Sequence, residues 1–192
     1  MNCNWATIVR PELIEERVMR LLLTGAAAAL LATLPASASA QDTYAKAART
    51  QFDMIKGNLS KTAMKVPEDQ YAFKPTPEVR SLGEIIGHVA DSNFAICAIA
   101  AGEKPPQSGF EKGKKSKAEL VKAMDDSIAY CDKVGAALDD AKGAAAVPFF
   151  GMQMPKLAVF NFNIQHCNEH YGNLVTYMRL KGIVPPSSEP RK

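Results

Sequence analysis

The sequence predicts an all-α fold, a four-helix bundle, on three observations. Four segments repeat apolar residues with a helical period, Gly, Pro and capping signatures separate them, and no run of any length alternates apolar with polar residues.

The first 40 residues stand apart. From Met19 the chain reads "MRLLLTGAAAALLATLPASASA", one Arg, an apolar run and small residues ending Ala38-Ser39-Ala40, which predicts a secretory signal cleaved after Ala40. The preceding stretch carries Glu12, Glu15 and Glu16, the wrong charge for the start of a signal, so translation is expected to start at Met19. The apolar run is shorter than the ~20 residues of a bilayer span, so no stable membrane span is expected after cleavage. The protein is therefore expected in the periplasm or secreted.

Residues 41–192 fit one domain able to bury its own core. The first predicted helix, residues 44–64, carries Tyr44, Ala48, Phe52, Ile55, Leu59 and Ala63 on one stripe and stops before Pro67. A linker rich in Pro and charge follows. Ser81-Leu82-Gly83-Glu84 is a capping box that opens the second helix, with Leu82, Ile85, Ile86, Val89, Ile96, Cys97 and Ala100 facing the core. Gly102 and Pro105-Pro106 end it. A second box, Ser116-Lys117-Ala118-Glu119, opens the third helix, with the stripe Leu120, Val121, Met124, Ile128, Cys131, Val134 and Leu138. Gly143 and Pro148 close that helix. The segment "VPFFGMQMP" reads as a loop or short ribbon, and the fourth helix starts after Pro155 and ends at Gly182, Pro185 and Pro186.

Composition narrows the function. The formal net charge of +3 is the same with or without the leader, which holds three Arg and three Glu, and no basic face interleaved with aromatics appears. No nucleic-acid partner is expected. The run "EKGKKSK" at 111–117 reads as a solvated loop. Cys97, Cys131 and Cys167 lie on apolar helical faces and are expected as small buried hydrophobes rather than a disulfide, although an odd number leaves at least one thiol free or paired between chains. A homodimer is compatible with the sequence.

The three histidines carry the chemistry. His166 and His170 are spaced i, i+4 on the fourth helix, away from the polar side formed by Asn161, Gln165, Asn168, Glu169, Thr176 and Arg179, so both point into the bundle or along its wall. Buried neighbouring imidazoles must share something that satisfies both acceptors, and a divalent metal does so. His88 borders the apolar stripe of the second helix and adds a third nitrogen, leaving open positions for water or substrate. No C-x-x-C-H, H-E-x-x-H or Glu-x-x-His is present, which removes covalent haem, the usual zinc-protease helix and di-iron bundles. Met152 and Met154 are soft enough for copper, but beside Phe149 and Phe150 they read better as part of a hydrophobic lid.

The pieces "SLGEIIGHVADSNFAIC", "PFFGM" and "IQHCNEHYGNLVTYMRLKGIVPPSS" resemble the DinB-like superfamily over nearly all of residues 41–192. The resemblance implies an up-down-down-up bundle in which His88, His166 and His170 bind a divalent ion such as zinc, nickel or iron. Relatives include thiol-dependent S-transferases and an isomerase, in which the metal is thought to activate a thiol. A metal-dependent enzyme acting on a small-molecule substrate, hydrolase or thiol transferase, is one expectation. Asp91, Glu169 and Tyr171 are the nearest candidates in sequence for orienting a ligand or moving a proton. A non-catalytic metal or ligand binder, and a scaffold whose histidines hydrogen-bond in the core, are the alternatives.

Overall fold

The structure is a computed structural model that describes residues 42–113 and 115–190. The expected signal segment lies outside the described residues.

Four long helices form the frame: α1 (Thr43–Lys65), α2 (Leu82–Ala101), α3 (Lys117–Ala137) and α4 (Lys156–Leu180). Both expected capping boxes form: the Ser81 and Ser116 hydroxyls accept from the backbone N–H of Glu84 and Glu119, whose carboxylates accept from the N-cap N–H in return. Gly102 ends α2 in the left-handed conformation, as a C-terminal glycine does at low cost. The start of α1 is capped by Asp140, whose carboxylate accepts from the N–H groups of Tyr44 and Ala45 at 3.2 and 2.7 Å.

Helix directions follow from which side chains meet. Asn93 faces Ser127 and Cys97 is bonded to Cys131, so α2 and α3 run parallel. Ser60 meets Asp125 while Lys56 meets Asp132, so α1 opposes α3. His88 meets His166 while the Lys156 ammonium donates to the Ala101 carbonyl, so α4 opposes α2. This is the up-down-down-up bundle, with α1 and α2 on one diagonal, each packed on α3 and α4.

The core is filled by Phe52, Leu59, Leu82, Ile86, Phe94, Met124, Phe160, Leu174 and Met178, all essentially inaccessible. By length and composition α2 is apolar enough to cross a membrane, but it is buried around most of its circumference between its neighbours. Tyr44 departs from its expected stripe: it is 75 % exposed, because the buried face of α1 starts at its neighbour Ala45, about 100° round the helix from Tyr44, and continues through Ala48. The third helix also ends sooner than Gly143. It stops at Ala137, and Asp139 then caps a single helical turn, Asp140–Gly143.

The cysteines correct the expectation of buried, unbonded hydrophobes. Cys97 and Cys131 form a disulfide across α2 and α3, and Cys167 stays free and buried. Apolar periodicity assigns each cysteine to a core face but does not say which residues of two parallel helices stand opposite one another. Here the Cα atoms are 5.5 Å apart, inside bridging range. Beside them Asn93 accepts from the Asn163 amide at 2.9 Å and from the Cys167 thiol at 3.2 Å, and donates to the Ser127 hydroxyl at 3.1 Å. This polar knot is buried and ties three helices together.

The ribbon between α3 and α4 is a hairpin, β1 (Ala146–Phe149) with β2 (Met152–Pro155), antiparallel with Phe149 opposite Met152. It leads directly into α4.

Candidate metal centre

Antiparallel packing of α2 on α4 brings His88 to the pair that helical spacing places on one side of α4. Nε2 of His166 lies 3.1 Å from Nε2 of His88 and 3.0 Å from Nε2 of His170. The ligand atoms of all three residues lie within 4.8 Å of one another, and no other His, Cys, Asp or Glu among the described residues joins the group. Two nitrogens held about 90° apart by an ion at about 2.1 Å would be about 3.0 Å apart, so both measured separations fit ligands of one cation.

Two of the donors, His166 and His170, are held towards the neutral form. Burial first, then the positive charges of His170, His88 and Arg80, push His166 down to about 4. His170 is lowered by burial first and by the charge of His88, against the opposing pull of Glu169. Both rings are neutral at neutral pH and offer lone pairs. Without an ion the cluster is poorly satisfied, since one N–H on His166 cannot serve the lone pairs of two neighbours. The buried Nδ1 atoms of His166 and His170 have no partner among the described residues either.

His88 is fixed from behind. Its Nδ1–H donates to Oε2 of Glu111 at 2.7 Å, which turns Nε2 towards the cluster. Glu111 is held in turn by Arg80, whose Nε donates to Oε1 at 2.8 Å. Burial opposes ionisation of Glu111, but the hydrogen bonds and charges of Arg80 and His88 outweigh it and hold the carboxyl below its usual value.

Asp91 sits one turn after His88 and accepts from the backbone N–H of Phe110 and of Glu111 at 2.9–3.0 Å. It therefore pins the loop that delivers Glu111. Gly87 completes the device: a Cβ there would lie 2.3 Å from the Phe110 carbonyl oxygen, so only glycine lets the loop lie on α2.

Glu111 is the site residue that sequence reasoning missed. It lies 23 residues from His88, inside the run read as a solvated loop, and its one signal was an acid opening a stretch of Lys. The other candidates fall elsewhere. Glu169 is exposed and reaches His170 only as a nearby negative charge. Tyr171 is buried, and its hydroxyl accepts from the Ser187 N–H at 3.0 Å, at the C-terminal segment. Met152 is 59 % exposed and Met154 packs against the core, as parts of the hairpin's apolar surface. An aromatic wall closes the other side, with Phe162 stacked on His166 at 6.5 Å and 21° and with Phe149 and Phe150 against Phe162.

The DinB superfamily model matches residues 51–174, which spans His88, His166 and His170. The chain belongs to the DinB superfamily. Its bundle is similar to that of a DinB-like protein from Bacillus cereus ATCC 10987, 16 % identical over 71 % of this chain and 92 % of that one, with a TM-score of 0.63. It is also similar to a DinB-like protein from Bacillus subtilis, 22 % identical over 76 % and 99 % of the two chains, with a TM-score of 0.59. A conserved protein from Enterococcus faecalis shares the fold at 12 % identity over 70 % and 95 %, with a TM-score of 0.56. No curated protein matches the chain. At these identities the DinB-like structures speak for the fold alone.

Proposed function

We propose that this DinB-superfamily protein is exported, carries a divalent ion on His88, His166 and His170, and acts as a metal-dependent enzyme of hydrolytic type on a small molecule. The observation that carries the reading is the donor count. Three histidine nitrogens converge and no further His, Cys, Asp or Glu among the described residues joins them, which is the composition of a centre with exchangeable positions rather than of a closed structural site. An ion held there supplies Lewis acidity towards a substrate oxygen and towards water.

The chain's own contribution is orientation. Glu111 fixes the tautomer and tilt of His88, Asp91 and Gly87 fix Glu111, and Phe162 bounds the cluster on the side of His166. Cys167 is no nucleophile, since burial raises its thiol to about 12, so thiol transfer would need a thiol co-substrate. Water needs no such supply outside the cell, which favours hydrolysis. Export is supported by the signal-like segment and by the Cys97–Cys131 disulfide, a bond that persists in oxidising compartments.

The test is turnover by zinc- or nickel-loaded protein on a panel of small esters, amides and phosphoesters, beside a His170→Ala variant of unchanged helicity. Hydrolysis that His170→Ala abolishes supports the reading. A fully loaded protein that turns over nothing and exchanges no ligand at its ion is a non-catalytic binder.

A further inference from the structure

The tip of the hairpin is built against its own turn chemistry. Phe149 pairs with Met152, which leaves a two-residue loop, Phe150-Gly151, with φ of 47° and 78°. Two positive φ values define a type I′ turn, whose first position favours Asn, Asp or Gly. A bulky aromatic residue there sits in strained backbone. Burial does not repay that strain, because Phe150 is 77 % exposed, and the neighbouring Phe149, 4 % exposed, already closes the core beneath it.

The ring instead joins a chain of aromatic contacts that reaches the histidine cluster. Phe150 lies 4.4 Å from Phe149 and 5.8 Å from Phe162, and Phe162 stacks on His166. The face of the centre on that side is thus a continuous aromatic step from the metal-binding imidazole to the solvent. We propose that Phe150, with Phe162 beside it, is a specificity ledge that takes the apolar or aromatic end of the molecule whose polar end meets the three histidines. The proposal rests on the reading of those histidines as an open metal site, and it assigns the substrate class: a small molecule with a metal-seeking head and a hydrophobic tail.

The test uses cobalt(II)-loaded protein and two hydroxamates with the same head, acetohydroxamate and 3-phenylpropanohydroxamate, titrated by the visible spectrum of the ion. Burying the phenyl group on the ledge should tighten binding about tenfold in the wild type. Phe150→Asn suits the turn, so it should keep the cobalt content, hold or raise the melting temperature, and bring the two affinities within about twofold of each other. The ledge is overturned if the variant keeps the preference, if neither hydroxamate perturbs bound cobalt, or if Phe150→Asn lowers the melting temperature and leaves binding alone, as a purely structural tip would. A wild-type dimer that the variant dissolves with no change in hydroxamate affinity also overturns it, in favour of an interface between copies. Failure to take up cobalt defeats the metal reading and the ledge together, and cobalt content is measured separately from ligand affinity.

Discussion

Nδ1 of His88 lies 2.7 Å from Oε2 of Glu111, while Nε2 of the same ring lies 3.1 Å from Nε2 of His166. One imidazole is thus braced by a carboxylate on one edge and offered to the cluster on the other. Glu111→Gln should weaken metal binding about 10- to 100-fold, the usual cost of losing a partner behind a ligating histidine. Competition titration with a chelator reads this directly, and an unchanged affinity would mean that Glu111 serves the loop alone.

Gly87→Ala should reach the same site without removing a polar group. The new Cβ would meet the Phe110 carbonyl at 2.3 Å and drive the loop, with Glu111, away from His88. Overpacking of this kind costs about 1–3 kcal/mol, so both the melting temperature and the metal affinity should fall. Asp91→Asn, which loosens the same loop from its other anchor, should lower metal affinity in the same direction.

Histidine spacing made most of the centre legible in the sequence, because i, i+4 fixes two rings on one side of a helix whatever the rest of the fold does. His88 was legible from its place at the border of a buried stripe. Glu111 was not, because a carboxylate in a charged loop looks like any solvated side chain until the loop is laid across Gly87. The disulfide was hidden for a related reason: Cys97 and Cys131 were each assigned to the core, but the rotation of one parallel helix against the other is a property of packing. The hairpin was read only as a loop or short ribbon, since its strands are four residues long and its turn carries Phe where Asn would have announced it.

Acid should destabilise the metal-free protein through its histidines. His166 falls to about 4 from an ordinary value near 6.5, and His170 is shifted the same way, so the unfolded chain binds protons that the folded chain refuses. Their contribution is fully present above about 6.5 and is lost as pH falls towards about 4. Urea midpoints between pH 7.5 and 4.5 should therefore drop, and a His166→Gln, His170→Gln variant should show a flatter profile between 6.5 and 5. Equal slopes in the two proteins would refute the assignment.

Reduction of Cys97–Cys131 should also be costly. The bond closes a loop of 34 residues in sequence separation. Chain entropy puts its contribution at about 3–4 kcal/mol. Denaturant unfolding with and without reductant measures it, and a Cys97→Ala, Cys131→Ala variant should match the reduced wild type.

The central claim is that the three histidines hold an ion. Elemental analysis of the purified protein, beside a folded His88→Ala, His166→Ala, His170→Ala variant, tests it most directly. About one equivalent of a divalent metal in the wild type and none in the variant is the expected result, together with a higher melting temperature on adding zinc or nickel to the wild type alone. Two empty proteins, with melting temperatures indifferent to added metal, would show that the histidines only pack the core.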